Sequence, residues 1–285
     1  RGLYPNFTGF LCINEFYIIS SYVQKKTVSI PKLPTFLSLC RLIFYMLKRE
    51  KKWFIIDSAV GPIYLEPNFH SSCLSEAVYG ESCEILDKQD NWLEIKCEDG
   101  YRGWINSFYG YISNEKNKPS YIVAYPSKSG CFSSKYPFGS MVEEPVKGSI
   151  LISKKLGSNH ILKIAENLLG IPYRWGGKTS MGFDCSGLVQ SVLKICGLTI
   201  PRDSKDQRSF LKNDQIDILD AEPGDLHFFG TKDKVTHVGF STKAAGILHS
   251  QGSVKIETID SSNINHNKNL LDIYLSTHSI KRKFN

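Results

Sequence analysis

A chain of 285 residues with 41% hydrophobic and 22% charged content has the make-up of a soluble globular protein, and its length allows one large domain or two to three small ones. The formal net charge of +7 favours anionic surroundings, but the Lys and Arg residues are spread along the chain and form no basic block, which argues against a nucleic-acid binder. Cysteines at 12, 40, 73, 83, 97, 131, 185 and 196 contain no CxxC pair and no regular spacing, so neither a zinc site nor a disulfide framework is supported and most read as buried thiols.

The first Met is Met46, and residues 1–47 are expected to be a non-native or disordered N-terminal segment. Its apolar stretch from Phe36 to Leu47 contains Arg41 and falls short of the roughly 18 to 20 residues a spanning helix needs, so no membrane span and no secretion signal are read.

Residues 48–113 break into short β-type runs: Ile55-Ile56, Ile63 to Leu65, Glu84 to Leu86, Trp92 to Ile95 and Gly103 to Ile105. Gln89-Asp90-Asn91 and Glu98-Asp99-Gly100 sit between runs as hairpin turns, and five short strands with tight turns predict a small barrel with Trp92 and Trp104 in its core. Residues 114–157 carry further β-type runs, Tyr121 to Tyr125 and Ser149 to Ile152. There Tyr136-Pro137-Phe138-Gly139-Ser140 echoes the Tyr79-Gly80-Glu81 turn, so the segment is either a second, shortened barrel or a linker with one hairpin.

After Ser158 the apolar period becomes helical, with Ile161, Leu162, Ile164, Ala165, Leu168 and Leu169 on one face, until Gly170 and Pro172 end it. A second helix opens near Cys185, buries Leu188, Val189, Val192, Leu193 and Cys196, and stops at Gly197. Strand-like runs come next at 226–229, 235–241, 246–250 and 254–259, so residues 158–285 read as an α+β domain with helices packed on an antiparallel sheet.

Cys185 stands where Phe183-Asp184-Cys185-Ser186-Gly187 turns into a helix, and a helix N-terminus favours the reactive thiolate. Its own backbone N–H could contribute to an oxyanion hole. A cysteine nucleophile needs a histidine as base, oriented by a third polar group. His237 in "THVGF" and His249 in "ILHSQG" meet on one face if their strands pair as a hairpin. Cys97 and Cys196 fit buried core thiols. His70, His160, His227, His266 and His278 fit structural or surface positions, and Arg174 and Asp203 fit surface positions at least as well as substrate contacts.

The order "GIPYRWGG", "GFDCSGLVQ", "IPRDSKDQ", "PGDLHFF", "THVGF", "ILHSQG" across residues 170–252 resembles the NlpC-type family of papain-like cell-wall cysteine peptidases. Upstream, "AVYGE", "NWLEI" and "DGYRGWI" resemble the bacterial SH3-like domains that accompany cell-wall enzymes. The resemblance implies Cys185 as nucleophile, His237 as base, His249 as the orienting residue, and Tyr173 beside the nucleophile at the oxyanion. It further implies that Asp184, Ser186 and Ser204 receive the N-terminal amine and first residues of a peptide, that Tyr101 closes the pocket, and that Glu81 pairs with the amine.

As a whole, the resemblance implies a monomeric peptidase needing no cofactor and no metal, acting on a peptidoglycan stem peptide. Such an enzyme would cut the γ-D-glutamyl–diamino acid bond and release L-Ala-D-Glu. The alternatives are a silent cell-wall binding protein, or an amidase or acyltransferase built on the same triad. A recycling role implies the cytoplasm, with the periplasm or cell envelope as the alternative.

Overall fold

The computed structural model describes residues 51–284, so the expected N-terminal segment 1–47, with its apolar stretch, lies outside the described residues. Seven antiparallel strands come first: β1 (Trp53–Ile56), β2 (Val60–Tyr64), β3 (Cys73–Val78), β4 (Ser82–Gln89), β5 (Trp92–Lys96), β6 (Arg102–Asn106) and β7 (Gly110–Ser113), in the order β3-β2-β6-β5-β4-β1-β7. The two hairpin turns fall where the sequence puts them. Asp90 takes φ of 51°, and Gly100 takes 86° while its N–H returns to Cys97 O.

β3 and β7 are additional to the five runs read from the sequence. Strand β3 was illegible because Ser75 and Glu76, polar residues mid-strand, are buried against the following domain and so break the apolar alternation. Alternation along β5 and β6 sends Leu93, Ile95 and Ile105 into a core with Phe54, Ile56, Ile63, Ala77, Cys83 and Cys97. The same alternation turns Trp92 and Trp104 to the opposite face of these strands, where Trp92 is nonetheless buried, beneath Tyr64 and Phe69 at ring-centroid distances of 5.6 and 4.7 Å, while Trp104 is partly exposed.

Next come β8 (Tyr121–Val123), β9 (Met141–Val142) and β10 (Ser149–Leu151), a three-stranded sheet in the order β10-β8-β9. Its Ile122, Met141 and the neighbouring Ala124 and Phe138 join the core of the last domain. Its link to the barrel is the turn at Gly80: Met141 N–H donates to Tyr79 O at 2.8 Å, and a Cβ on Gly80 would stand 1.9 Å from Met141 O.

The last domain begins with helix α1 (Ile161–Glu166), and continues through a short pair, β11 (Lys178–Thr179) with β12 (Gly182–Phe183), to α2 (Cys185–Cys196) and α3 (Ser204–Phe210). The regular part of α1 is shorter than its apolar period, and Leu169 is exposed beyond it. Six antiparallel strands form the sheet: β13 (Gln215–Ile216), β14 (Leu226–Thr231), β15 (Lys234–Lys243), β16 (Gly246–Gln251), β17 (Ser253–Thr258) and β18 (Tyr274–His278), in the order β13-β18-β14-β15-β16-β17, with α4 (Lys268–Asp272) before β18. Leu188, Val189, Val192 and Leu193 of α2 pack with Phe228, Val238, Phe240 and Leu248 of the sheet, each side chain contributing about 1.5–3 kcal/mol of burial. Among the described residues no helix is long and apolar enough to cross a membrane.

Gly80 and Gly100 separate two costs of adding a side chain, because both hold left-handed backbone but only Gly80 faces another backbone. Gly100→Ala should cost about 1 kcal/mol, while Gly80→Ala should cost more than about 2 kcal/mol, as measured by urea denaturation of the two variants.

Candidate active site

Helix α2 starts at Cys185 because Asp184 caps it. Asp184 is extended, and its Oδ1 accepts the Gly187 N–H at 2.6 Å, a cap of about 1 kcal/mol. Cys185 is buried, and its sulfur lies within hydrogen-bond reach of the backbone N–H groups of Ser186 and Val238. Those donors and Arg202 favour a thiolate, yet burial, with the Asp184 charge beside it, outweighs them and pushes the thiol up to about 11. Tyr173 stands close by, anchored through its N–H to Gly252 O at 2.8 Å. Its phenol is raised to about 12 by burial and then by the charges of Cys185 and Asp184.

Val238, which meets the thiol, comes directly after His237 on β15. Phe240 pairs with Leu248 on β16, and this register sets His249 beside Gly239, where a Cβ would come within 2.8 Å of His249 Cβ. The bare glycine lets the two strands close enough for the imidazoles to meet: His237 Nε2 lies 2.7 Å from His249 Nδ1, with the rings at 83°. Both rings are buried, and burial, reinforced by the neighbouring His249, lowers His237 to about 3. On its far side His249 Nε2 lies 2.8 Å from Glu257 Oε2. Ser250 Oγ donates to Phe183 O at 2.8 Å and so ties β16 to the strand leading into the nucleophile turn.

The barrel closes on this site through polar contacts. Arg202, just before α3, is buried and forks onto both Asp184 oxygens (Nη1–Oδ1 3.0 Å, Nη2–Oδ2 2.6 Å). Its Nη1 also donates to Ser186 Oγ at 2.9 Å, and its Nε reaches Ser75 Oγ of β3 at 2.9 Å. The β5–β6 turn is held from the other domain, since Asp99 accepts Gln190 Nε2–H of α2 at 2.8 Å. Tyr101 comes next in that turn. Its N–H donates to Asp99 Oδ1 at 2.9 Å, which sets it beside α2, and burial, then the charge of Asp203, raise its phenol to about 12.

Residues 170–272 match the model of the NlpC/P60 family, and residues 63–107 match that of the bacterial dipeptidyl-peptidase SH3 domain. The chain carries an NlpC/P60 cysteine peptidase domain. It is 27% identical over 213 residues to a gamma-D-glutamyl-L-lysine dipeptidyl-peptidase of Bacillus subtilis, covering 62% of this chain and 71% of that protein. It is 24% identical over 231 residues to dipeptidyl-peptidase 6 of Lysinibacillus sphaericus, covering 61% and 80%. A solved NlpC/P60 endopeptidase from Photobacterium damselae subsp. piscicida shares the fold, with a TM-score of 0.58 at 13% identity over 96% of this chain and 85% of that one.

Within the NlpC/P60 domain and its barrel, the structure gathers Cys185, His237, His249, Tyr173 and Tyr101 around the start of α2, with Ser204 half-buried at the head of α3. It uses two expected substrate carboxylates internally. Asp184 has both oxygens engaged by Arg202, Gly176 N–H at 2.9 Å, Gly187 N–H and Ser186 Oγ, so its lone pairs are spent on the fold. Ser186 serves the same cluster.

Glu81 turns into the domain interface, where it accepts Val78 N–H at 3.1 Å and faces the buried Lys178. Ligand atoms of Glu81, Cys83 and Cys97 lie within 4.8 Å of one another. Lys178 is held charged there by Glu81, Asp99 and Cys97 against the cost of its burial, so a cation already faces this cluster and opposes a divalent ion. The carboxylate left open beside Tyr101 is Asp203, exposed and with no side-chain cap bond to α3. Glu257 also escaped the sequence reading, although it sits eight residues after His249 on the next strand.

Removing the Arg202 fork leaves the buried Asp184 charge uncompensated and unties β3. Arg202→Ala should cost about 3–5 kcal/mol, and Arg202→Lys, with one ammonium for a planar fork, should recover only part of it, as read by denaturant titration.

Proposed function

We propose that the protein is a dipeptidyl-peptidase acting on peptidoglycan stem peptides, cutting the γ-D-glutamyl–diamino acid bond behind a free N-terminal L-Ala. The observation that carries this reading is the placement of Cys185 at the start of α2, against the strand that bears the hydrogen-bonded pair His237–His249, with the barrel turn of Tyr101 bonded to the same helix through Asp99. The names of the relatives in Bacillus subtilis and Lysinibacillus sphaericus agree with it.

In this reading His237 takes the thiol proton as the Cys185 sulfur attacks the γ-carbonyl carbon. The oxyanion that forms is met by the backbone N–H of Cys185 and by the Tyr173 hydroxyl. His237 then returns the proton to the leaving amine, and a thioester remains on Cys185. Water, deprotonated by His237, opens the thioester and releases L-Ala-D-Glu. The ammonium of the substrate's L-Ala is received by Asp203 beside the Tyr101 hydroxyl, in place of Asp184, with Ser204 at the neighbouring helix start. A blocked amine would forfeit that ion pair, which makes the barrel a gate for short free peptides.

In this reading the protein works as a cytoplasmic monomer, a nucleophilic thiol being kept reduced in that compartment. Cell fractionation and light scattering test those two points.

Mass spectrometry of L-Ala-γ-D-Glu-diaminopimelate, of its L-lysine counterpart and of their N-acetylated forms tests the reaction. L-Ala-D-Glu should appear from the free peptides only, with Cys185→Ala reducing the rate more than about 1,000-fold and Asp203→Asn raising KM about tenfold. Equal cleavage of the acetylated and free peptides would remove the gate, and no cleavage of any would remove the activity.

A further inference from the structure

The hydrogen-bonded line that begins at His237 runs on past His249. Strand β17 pairs with β16 so that His249 faces Lys255 and Ile247 faces Glu257, which sets Glu257 diagonally across from His249 on the same face of the sheet. Glu257 Oε2 lies 2.8 Å from His249 Nε2 and also accepts Asn267 Nδ2–H at 3.0 Å. Its other oxygen is 3.2 Å from Lys255 Nζ. Asn267 is itself fixed, because its Oδ1 accepts the Leu270 N–H that opens α4 and its N–H donates to Thr258 O at 2.8 Å. The carboxylate is thus gripped from β16, from its own strand and from α4.

We propose that Glu257 is a positioning residue that sets the tautomers of His249 and His237 together, leaving the lone pair of His237 on Nδ1 to take the proton of Cys185. This inference rests on the reading of Cys185 as nucleophile and His237 as its base.

Counting hydrogens along the line decides the tautomers. An ionised carboxylate only accepts, so the hydrogen of the 2.8 Å contact belongs to His249 Nε2. A neutral imidazole protonated on Nε2 has its lone pair on Nδ1, so in the 2.7 Å contact the donor is His237 Nε2. His237, neutral as well, then holds its lone pair on Nδ1. The opposite tautomers would set a bare His249 Nε2 against the carboxylate and leave an N–H on His237 Nδ1, which could not accept a proton. Water does not blur this choice, since both rings are buried. Burial works against the charge on Glu257, but the bonds from Asn267, His249 and Lys255 outweigh it and hold the carboxyl below its ordinary range. The charged and titratable groups facing this line are His237, His249, Glu257 and Lys255, and Lys255, partly exposed at the outer oxygen, tempers the carboxylate without replacing it.

Two measurements that need no peptide substrate test the proposal on the full chain: nitrogen-15 NMR of the histidine tautomers, and the pH profile of Cys185 alkylation by iodoacetamide, monitored on the Cys185 peptide by mass spectrometry. In the unaltered protein His237 and His249 should both carry their ring proton on Nε2. In Glu257→Ala, His249 should divide between tautomers, and Cys185 alkylation near neutral pH should slow about twofold or more, because part of the population then carries a proton on His237 Nδ1 and cannot take the one on the thiol. Glu257→Gln, whose carbonyl accepts the same bond without charge, should keep both the tautomers and most of the alkylation rate. A proton on Nδ1 of His249 in the unaltered protein overturns the proposal without recourse to any variant, and so does an unchanged tautomer and alkylation profile in Glu257→Ala. Absence of stem-peptide cleavage by the unaltered protein would overturn the reaction proposed above while leaving these two results to be judged separately.

Discussion

The buried fork of Arg202 is the contact on which the other arrangements rest. One guanidinium holds both oxygens of Asp184, the hydroxyl of Ser186 and, across the domain boundary, the hydroxyl of Ser75. Asp184 is at once the cap of the nucleophile helix and a negative charge next to the thiol it presents. An anion there opposes a thiolate, and the guanidinium offsets it, so the helix keeps its cap at a smaller cost to cysteine chemistry. Buried ion pairs add little net stability once desolvation is counted. The value of this one lies in geometry, because a planar fork accepts few arrangements of its partners.

The same economy runs along the rest of the domain boundary. Glu76 of β3 accepts the Lys178 N–H at 3.0 Å and pairs with Arg174 at 3.2 Å, while Asp99 bonds Gln190 and lies 3.9 Å from the Lys178 ammonium. Each contact joins a barrel residue to the loop, strand or helix around Cys185. An apolar interface would tolerate sliding, whereas these directional bonds fix where the β5–β6 turn stands and therefore where Tyr101 and its hydroxyl stand. The barrel is thereby a wall of the site.

The sequence was most legible where one residue's surroundings are local. The turns at Asp90 and Gly100, the helix from Cys185 to Gly197 and the strands bearing His237 and His249 are set by turn chemistry and apolar period. Elements whose polar residues are buried against another domain were missed, as with Ser75 and Glu76 in β3. So were short strands closed by distant partners, such as β13 and β18. Asp184 and Glu81 could be recognised as important carboxylates, but whether their charge faces a ligand or an arginine depends on Arg202 and Lys178, and no local pattern announces those partners. Glu257 was within reach: the hairpin turn at Gly252 sets His249 opposite Lys255, and the diagonal position is fixed once that register is written out. Trp104 shows the parity problem, since one residue along a strand exchanges the core face for the opposite one.

Burial makes the resting site neutral, and this constrains how it can react. With the thiol near 11 and His237 near 3, a separated thiolate and imidazolium are disfavoured before a substrate arrives, although the helix start and two backbone N–H groups pull toward the anion. Proton transfer and attack on a carbonyl are therefore best coupled, so that the negative charge passes to an oxyanion already facing donors. The positive charge left on His237 then needs a counter-charge that is present at the moment of transfer and adds little to the field at rest. A carboxylate one imidazole away meets that requirement. It is too far to hold His237 charged in the empty site, yet it is joined to it by two hydrogen bonds whose direction is already set.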